Sequence, residues 1–134
     1  MIYLKLFENF NQVKIASDLT DELYKITDEL YFNKVAIVQA SVKVSESGEL
    51  YITLLKLTSM NDRPGSGKLG MSALVKFADE NNLPIKLIAS SYMGSDLDRL
   101  TRFYEDFGFK VIEEFKLQDS LPCRKMIRKK KEDK

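Results

Sequence analysis

The sequence predicts an α/β domain, a mix of strands and helices around one sheet, and three observations carry that expectation. Segments with strand-like alternation are interleaved with three segments of helical periodicity. At 134 residues the chain is long enough for one buried core and too short for two. A glycine-rich turn, "GSGKLG" at residues 65–70, stands between a strand pattern and a helix pattern.

Taken in order, "MIYLKLF" alternates Ile2, Leu4 and Leu6 against Tyr3 and Lys5 and reads as an opening strand. "SDLTDELYKITDELYF" places Leu19, Leu23, Ile26 and Leu30 on one helix face, with Ser17 or Asp18 as N-cap. "TDELY" occurs at 20 and again at 27; two heptads are too few for a coiled coil, so a core-facing amphipathic helix is expected. "KVAIVQASVKV" and "ELYITLLKLTS" read as strands joined by "SESGE", where Gly48 supplies the turn. The second is apolar at Leu50, Ile52 and Leu54 and also at Tyr51, Leu55 and Leu57, the mark of an interior strand buried on both faces.

After the glycine turn, "MSALVKFADENN" carries Leu74, Val75, Phe77 and Ala78 on a helix ending near Asn81 or Asn82. "LPIKLIASS" is a further strand. "SDLDRLTRFYEDFGF" puts Leu97, Leu100, Tyr104 and Phe107 on one stripe, capped by Ser95 or Asp96 and stopped by Gly108 in the C′ position. "KVIEEFKL" and "RKMIRK" supply two last strands. The domain is expected over residues 1–128, with 129–134 as a solvated, charged tail.

Composition removes several functions. Lys and Arg number 21 against 20 Asp and Glu, so no charge excess points to nucleic acid, which is not an expected partner. There is no histidine and one cysteine, Cys123, which excludes His-based triads, His-ligated zinc and a thiolate metal site. No metal is expected. Cys123, with no histidine to activate it, reads as incidental. No apolar run reaches a membrane span and the first residues are too polar for a signal peptide, so a cytoplasmic protein without a membrane partner is expected.

The glycine turn is the most informative stretch. A helix N-terminus presents unpaired N–H groups and the positive dipole end, and glycines let them approach a bulky anion. Gly65, Ser66, Gly67, Lys68, Leu69 and Gly70 therefore make a candidate phosphate cradle, with Arg63 and Lys68 adding charge. A nucleotide-hydrolysing P-loop does not fit: Asp62 stands where its first glycine belongs and Leu69 where its magnesium-binding Ser or Thr belongs. The dinucleotide-binding glycine pattern is not met either. A turn without a ligand is the remaining alternative.

A second signal follows about 35 residues later in "FYEDFGF". The succession strand, "RPGSGKLGMSAL", strand, "FYEDFGF", strand resembles the GNAT acyltransferase superfamily, especially its compact phage-type members, over residues 50 to about 115. Ser66 departs from the strict loop pattern, and Pro64 removes one N–H donor. The resemblance implies a central mixed, mostly antiparallel sheet flanked by helices. It implies that residues 65–70 carry the pyrophosphate of acetyl-CoA through backbone N–H groups. Leu57, Thr58 and Ser59 would run beside the pantetheine arm, and Ser95 or Asp96 would lie near the cofactor. Tyr104 would be the catalytic acid that protonates the departing thiolate.

The function so implied is an N-acetyltransferase acting on a primary amine, either a small molecule or a peptide of unknown identity. The alternative is a catalytically silent binding module of the same fold that holds acyl-CoA as a structural ligand. Glu49, Asp62, Glu113 and Glu114, or a water chain, are open as the general base, and nothing in the sequence ranks them. A homodimer is compatible with the reading.

Overall fold

The computed structural model describes residues 2–60, 65–90, 96–117 and 121–131. Helix α1 spans Ile2–Phe32. The expected opening strand is therefore replaced by helix, and Ser17 and Asp18 sit inside α1 rather than capping it. Five residues of alternation cannot outvote a stretch of thirty with no glycine or proline to interrupt it. The heptad pattern behaves as expected: Leu23 is fully buried, and Leu19, Ile26 and Leu30 pack against the core.

The remaining elements are β1 (Ala36–Val44), β2 (Leu50–Ser59), α2 (Ser66–Glu80), β3 (Ile85–Ser90), α3 (Leu97–Glu105), β4 (Lys110–Lys116) and β5 (Pro122–Arg128). The five strands lie in the order β1-β2-β3-β5-β4. Every neighbouring pair is antiparallel except β2 with β3. This is the mixed, mostly antiparallel sheet that the resemblance implied.

The helices share one face of that sheet. In register, Ala36, Val38, Ala40 and Val42 of β1, Ile52 and Leu54 of β2, Ile85, Leu87 and Ala89 of β3, and Met126 of β5 point the same way and are buried in one cluster. The Thr20 hydroxyl of α1 accepts from the Val42 backbone N–H at 2.9 Å, so α1 also covers the outer edge of β1. Arg128 ties the other two helices to the sheet. Its guanidinium pairs with Asp79 of α2 at 2.9 Å and its Nε donates to the Phe107 carbonyl, past the end of α3, at 2.8 Å.

The opposite face is open. Leu55, expected to be buried, is 72% exposed, and Ile88 is 58% exposed. Alternation from the buried Leu54 puts Leu55 on this open face. The register shift between Gln39 and Ala40 then leaves Leu55 as an extra residue on β2 and brings Leu57 and Ser59 to the helix face, opposite Val38 and Ala36.

Candidate functional site

The bulge at Leu55 sits where the sheet divides. Strands β2 and β3 pair only through Ile52, Thr53 and Leu54 with Ile85, Lys86 and Leu87. Beyond that, β2 runs on to Ser59 paired with β1 alone, and β3 runs on to Ser90 paired with β5 alone. A bulge bends and twists its own strand, and this one follows directly on the last shared pair. The result is a cleft between two parallel strands, walled by the backbone edges of residues 55–59 and 88–90. Those edges carry peptide groups that need a hydrogen-bonding partner from outside the sheet. Met60 N–H donates to the Val35 carbonyl, so by alternation the peptide groups of Thr58 face β1, while those of Leu57 and Ser59 face the cleft and are able to pair with an extended ligand.

At the open end of that wall stands the N-terminus of α2. Only Gly65 of the expected glycine loop lies before the helix; residues 66–70 are its first turns. Gly65 is the N-cap with φ +88°, a left-handed conformation that glycine adopts without strain, and it offers no capping side chain. Leu69 N–H closes onto the Gly65 carbonyl at 3.1 Å, so the N–H groups of Ser66, Gly67 and Lys68 are the helix donors left over. The glycines differ in use. A Cβ on Gly67 would stand 3.2 Å from Ser59 Oγ and 3.8 Å from the Phe103 ring, so its bareness brings α2 against the end of β2. A Cβ on Gly70 would meet Ala36 Cβ and Leu57 Cδ1 at 3.1 Å, which makes Gly70 a packing glycine under the helix. Lys68 is exposed beside the free donors, and the Leu69 side chain points to solvent.

Tyr104 lies on α3 with its ring in the core, 5.3 Å from Phe103 and 5.7 Å from Phe109 between centroids. The residue is 8% exposed, and burial pushes its phenol above the ordinary value. Its hydroxyl makes no hydrogen bond among the described residues. Asp96 is the N-cap of α3, accepting from the N–H groups of Asp98 at 3.0 Å and Arg99 at 3.2 Å. Arg63 and Ser95 lie outside the described residues, as does Asp62.

Of the candidate bases, Glu49 is at the far end of β2, about 25 Å of extended strand from Leu57. Glu114 is held by Arg124, whose Nε donates to it at 3.1 Å. Arg124 was not legible as a site residue. Its Nη1 reaches Asp98 and the Thr101 hydroxyl, each at 2.9 Å, fastening α3 to β5 at the cleft end of the sheet. The hydrogen bond to Asp98 is the main reason that its guanidinium is held above its ordinary pKa. Glu113 is exposed on β4. Cys123 is buried opposite Ser90 with Sγ directed to the Leu121 carbonyl. No cluster of three metal-ligating side chains occurs among the described residues, and no described helix is long and apolar enough to cross a membrane.

A parallel pair that parts beside a glycine-opened helix N-terminus, in this strand order, defines the GNAT fold, and comparison with solved structures bears this out. The Arabidopsis thaliana Naa50 structure, in complex with the bisubstrate analogue CoA-Ac-MVNAL, matches with a TM-score of 0.55 at 15% identity over 69% of this chain and 64% of that one. The NatB acetyltransferase complex bound to CoA matches with 0.54 at 18% over 70% and 63%. Arabidopsis thaliana NAA60 in complex with acetyl-CoA matches with 0.55 at 13% over 69% and 64%. The chain thus spans somewhat less than two thirds of each of these structures. No protein-family model and no curated protein sequence matches it.

Proposed function

We propose that the protein is an acetyl-CoA-dependent N-acetyltransferase acting on a primary amine. The observation that carries this reading is the cleft between β2 and β3, which ends at helix donors on α2 that no described side chain caps. The residues fit the donor molecule: Ser66, Gly67 and Lys68 offer three N–H groups to a pyrophosphate, and Lys68 adds a cation. The free edge offers the peptide groups of Leu57 and Ser59, on either side of Thr58, which a pantetheine arm, itself a chain of amides, can pair with. Solved structures of similar fold hold CoA, acetyl-CoA and a peptide–CoA conjugate. This supports the donor and a peptide amine as one class of acceptor.

Acetyl-CoA supplies an acyl group activated as a thioester. As the amine nitrogen bonds to the acyl carbon and the carbon–sulfur bond breaks, two charges need management. A backbone N–H on the cleft edge of β2 is the donor available to the acyl oxygen. Tyr104 holds the proton for the departing sulfur; its raised pKa keeps the phenol protonated throughout the neutral range. The surplus proton of the amine goes to water or to an exposed carboxylate. Glu113 of β4 is exposed, whereas its neighbour Glu114 is already paired with Arg124.

One observation favours the second reading, a silent acyl-CoA-binding module: Tyr104 is packed as a core residue. The two are separated by measuring binding and turnover together. In chelator, acetyl-CoA at a hundredfold excess over its Kd is expected to stabilise the fold by about 2.7 kcal/mol. Release of free CoA with a panel of amines and peptides then distinguishes an enzyme from a module. No thermal shift at millimolar acetyl-CoA contradicts both.

A further inference from the structure

The repeated "TDELY" has a use beyond the core. Its leucines are buried and Thr20 seals the β1 edge, but Tyr24 and Tyr31 are 48% and 51% exposed. Ser17, Asp21, Tyr24, Asp28 and Tyr31 succeed one another in steps of four and three, so they form one exposed stripe on α1. The stripe carries two carboxylates and two aromatic rings.

The open face of the sheet has the reverse chemistry. Leu55 and Ile88 are exposed at its centre, and Lys43, Lys56, Lys86 and Lys125 share their face by register, with Glu113 of β4 the acid opposite Lys125 at the side away from β1. Lys86 lies 4.3 Å from the centroid of the Tyr51 ring, so that aromatic surface is already occupied and offers little for stacking a base. Exposed aliphatic residues among charges are the anatomy of a protein interface rather than of a phosphate track.

We infer that the β1 side of this face, where β2 and β3 remain paired, is covered by a second copy of the chain, which leaves the cleft between the parted strands clear. An acidic, tyrosine-bearing stripe and a basic, aliphatic face occur on one molecule whose formal net charge is only +1. They also adjoin: Tyr24 and Asp28 of the stripe, Gln39 and Ser41 of β1, and Leu55 line one groove of about 410 Å³ along the β1 side of the sheet. Complementary surfaces that meet along one edge can both be satisfied by a two-fold axis at that edge, each stripe lying on its partner's sheet. Surfaces on opposite sides of the molecule would instead give an open chain. A stable interface buries about 800 Å² per copy, under a tenth of the 9480 Å² surface.

Sedimentation equilibrium on the full chain tests the inference. The expected result is a species of twice 15.4 kDa that dissociates as salt is raised. Lys43→Glu with Lys86→Glu, and separately Asp21→Lys with Asp28→Lys, should each weaken association by about tenfold or more. An equimolar mixture of the two variants should restore it, because each reversed surface then meets its complement; this also shows that both variants are folded. A monomer at all concentrations, a dimer indifferent to both reversals, or a mixture that fails to associate overturns the inference.

Discussion

Leu54 pairs with Leu87, and beyond that pair the two parallel strands part. The proposed function depends on this one relationship, because the parted edges and the start of α2 are the surfaces offered to acetyl-CoA.

The glycines of the α2 start should separate by substitution. Gly67→Asp places a carboxylate at the pyrophosphate and blocks approach of the backbone, so acetyl-CoA binding should be lost in a folded protein. Gly70→Val pushes against Ala36, Val38 and Leu57 and should cost about 1–3 kcal/mol of stability, with affinity for acetyl-CoA close to unchanged. Calorimetric titration and thermal melting of each variant check the pair. Unchanged affinity in Gly67→Asp would reduce the site to a turn.

Tyr104→Phe keeps the ring between Phe103 and Phe109 and removes the hydroxyl. Turnover should fall by roughly 10²–10⁴ with binding within a few fold. A tyrosine that only packs predicts intact turnover. The variant also has a stability signature. Because burial raises this pKa in the folded state, stability is intact below the ordinary phenol value of 10.0 and is lost as pH climbs through the raised value. Melting curves above pH 10 should therefore fall less steeply in Tyr104→Phe than in the parent.

Arg128→Ala should destabilise the fold by about 1–3 kcal/mol, since it strips partners from Asp79 and the Phe107 carbonyl together. The effect should appear in denaturant midpoints with the cofactor site unchanged. A loss of affinity as large as the loss of stability would mean that α2 and α3 must be tied for the site to form.

Removing residues 129–134 should leave acetyl-CoA affinity intact. Lys129 and Lys130 line a cleft of about 630 Å³ with Lys86, Asn81 and the β1–β2 turn, at the end of the sheet away from Ser59 and Gly65. Binding isotherms of the shortened chain decide it, and a large drop in affinity would move the donor site to that cleft.

Much of this architecture is written in local patterns. The α3 stripe, the caps at Asp96 and Gly108, and the apolar spacing of Leu23 and Leu30 are properties of neighbouring residues, and they can be read directly. The first residues read as a strand because a few alternating positions carry no information about the thirty-residue helix they belong to. Leu55 reads as a core residue because an apolar residue on the second face of a strand does not reveal whether a layer covers that face. Gly67 and Gly70 look alike in sequence, yet one abuts Ser59 at the cleft and the other packs on Ala36. Arg124 and Arg128 make their contacts across long sequence separations, so composition hides them among surface cations.

The most direct measurement of the central claim is a map of backbone amide shifts on adding acetyl-CoA to the isotopically labelled protein. The largest changes are predicted at Leu57 and Ser59, whose peptide groups face the cleft, and at Ser66, Gly67 and Lys68 in the first turn of α2. Smaller changes are expected along α3 near Tyr104. Changes concentrated at Lys86, Lys129 and Lys130, or no changes at saturating ligand, would contradict the account.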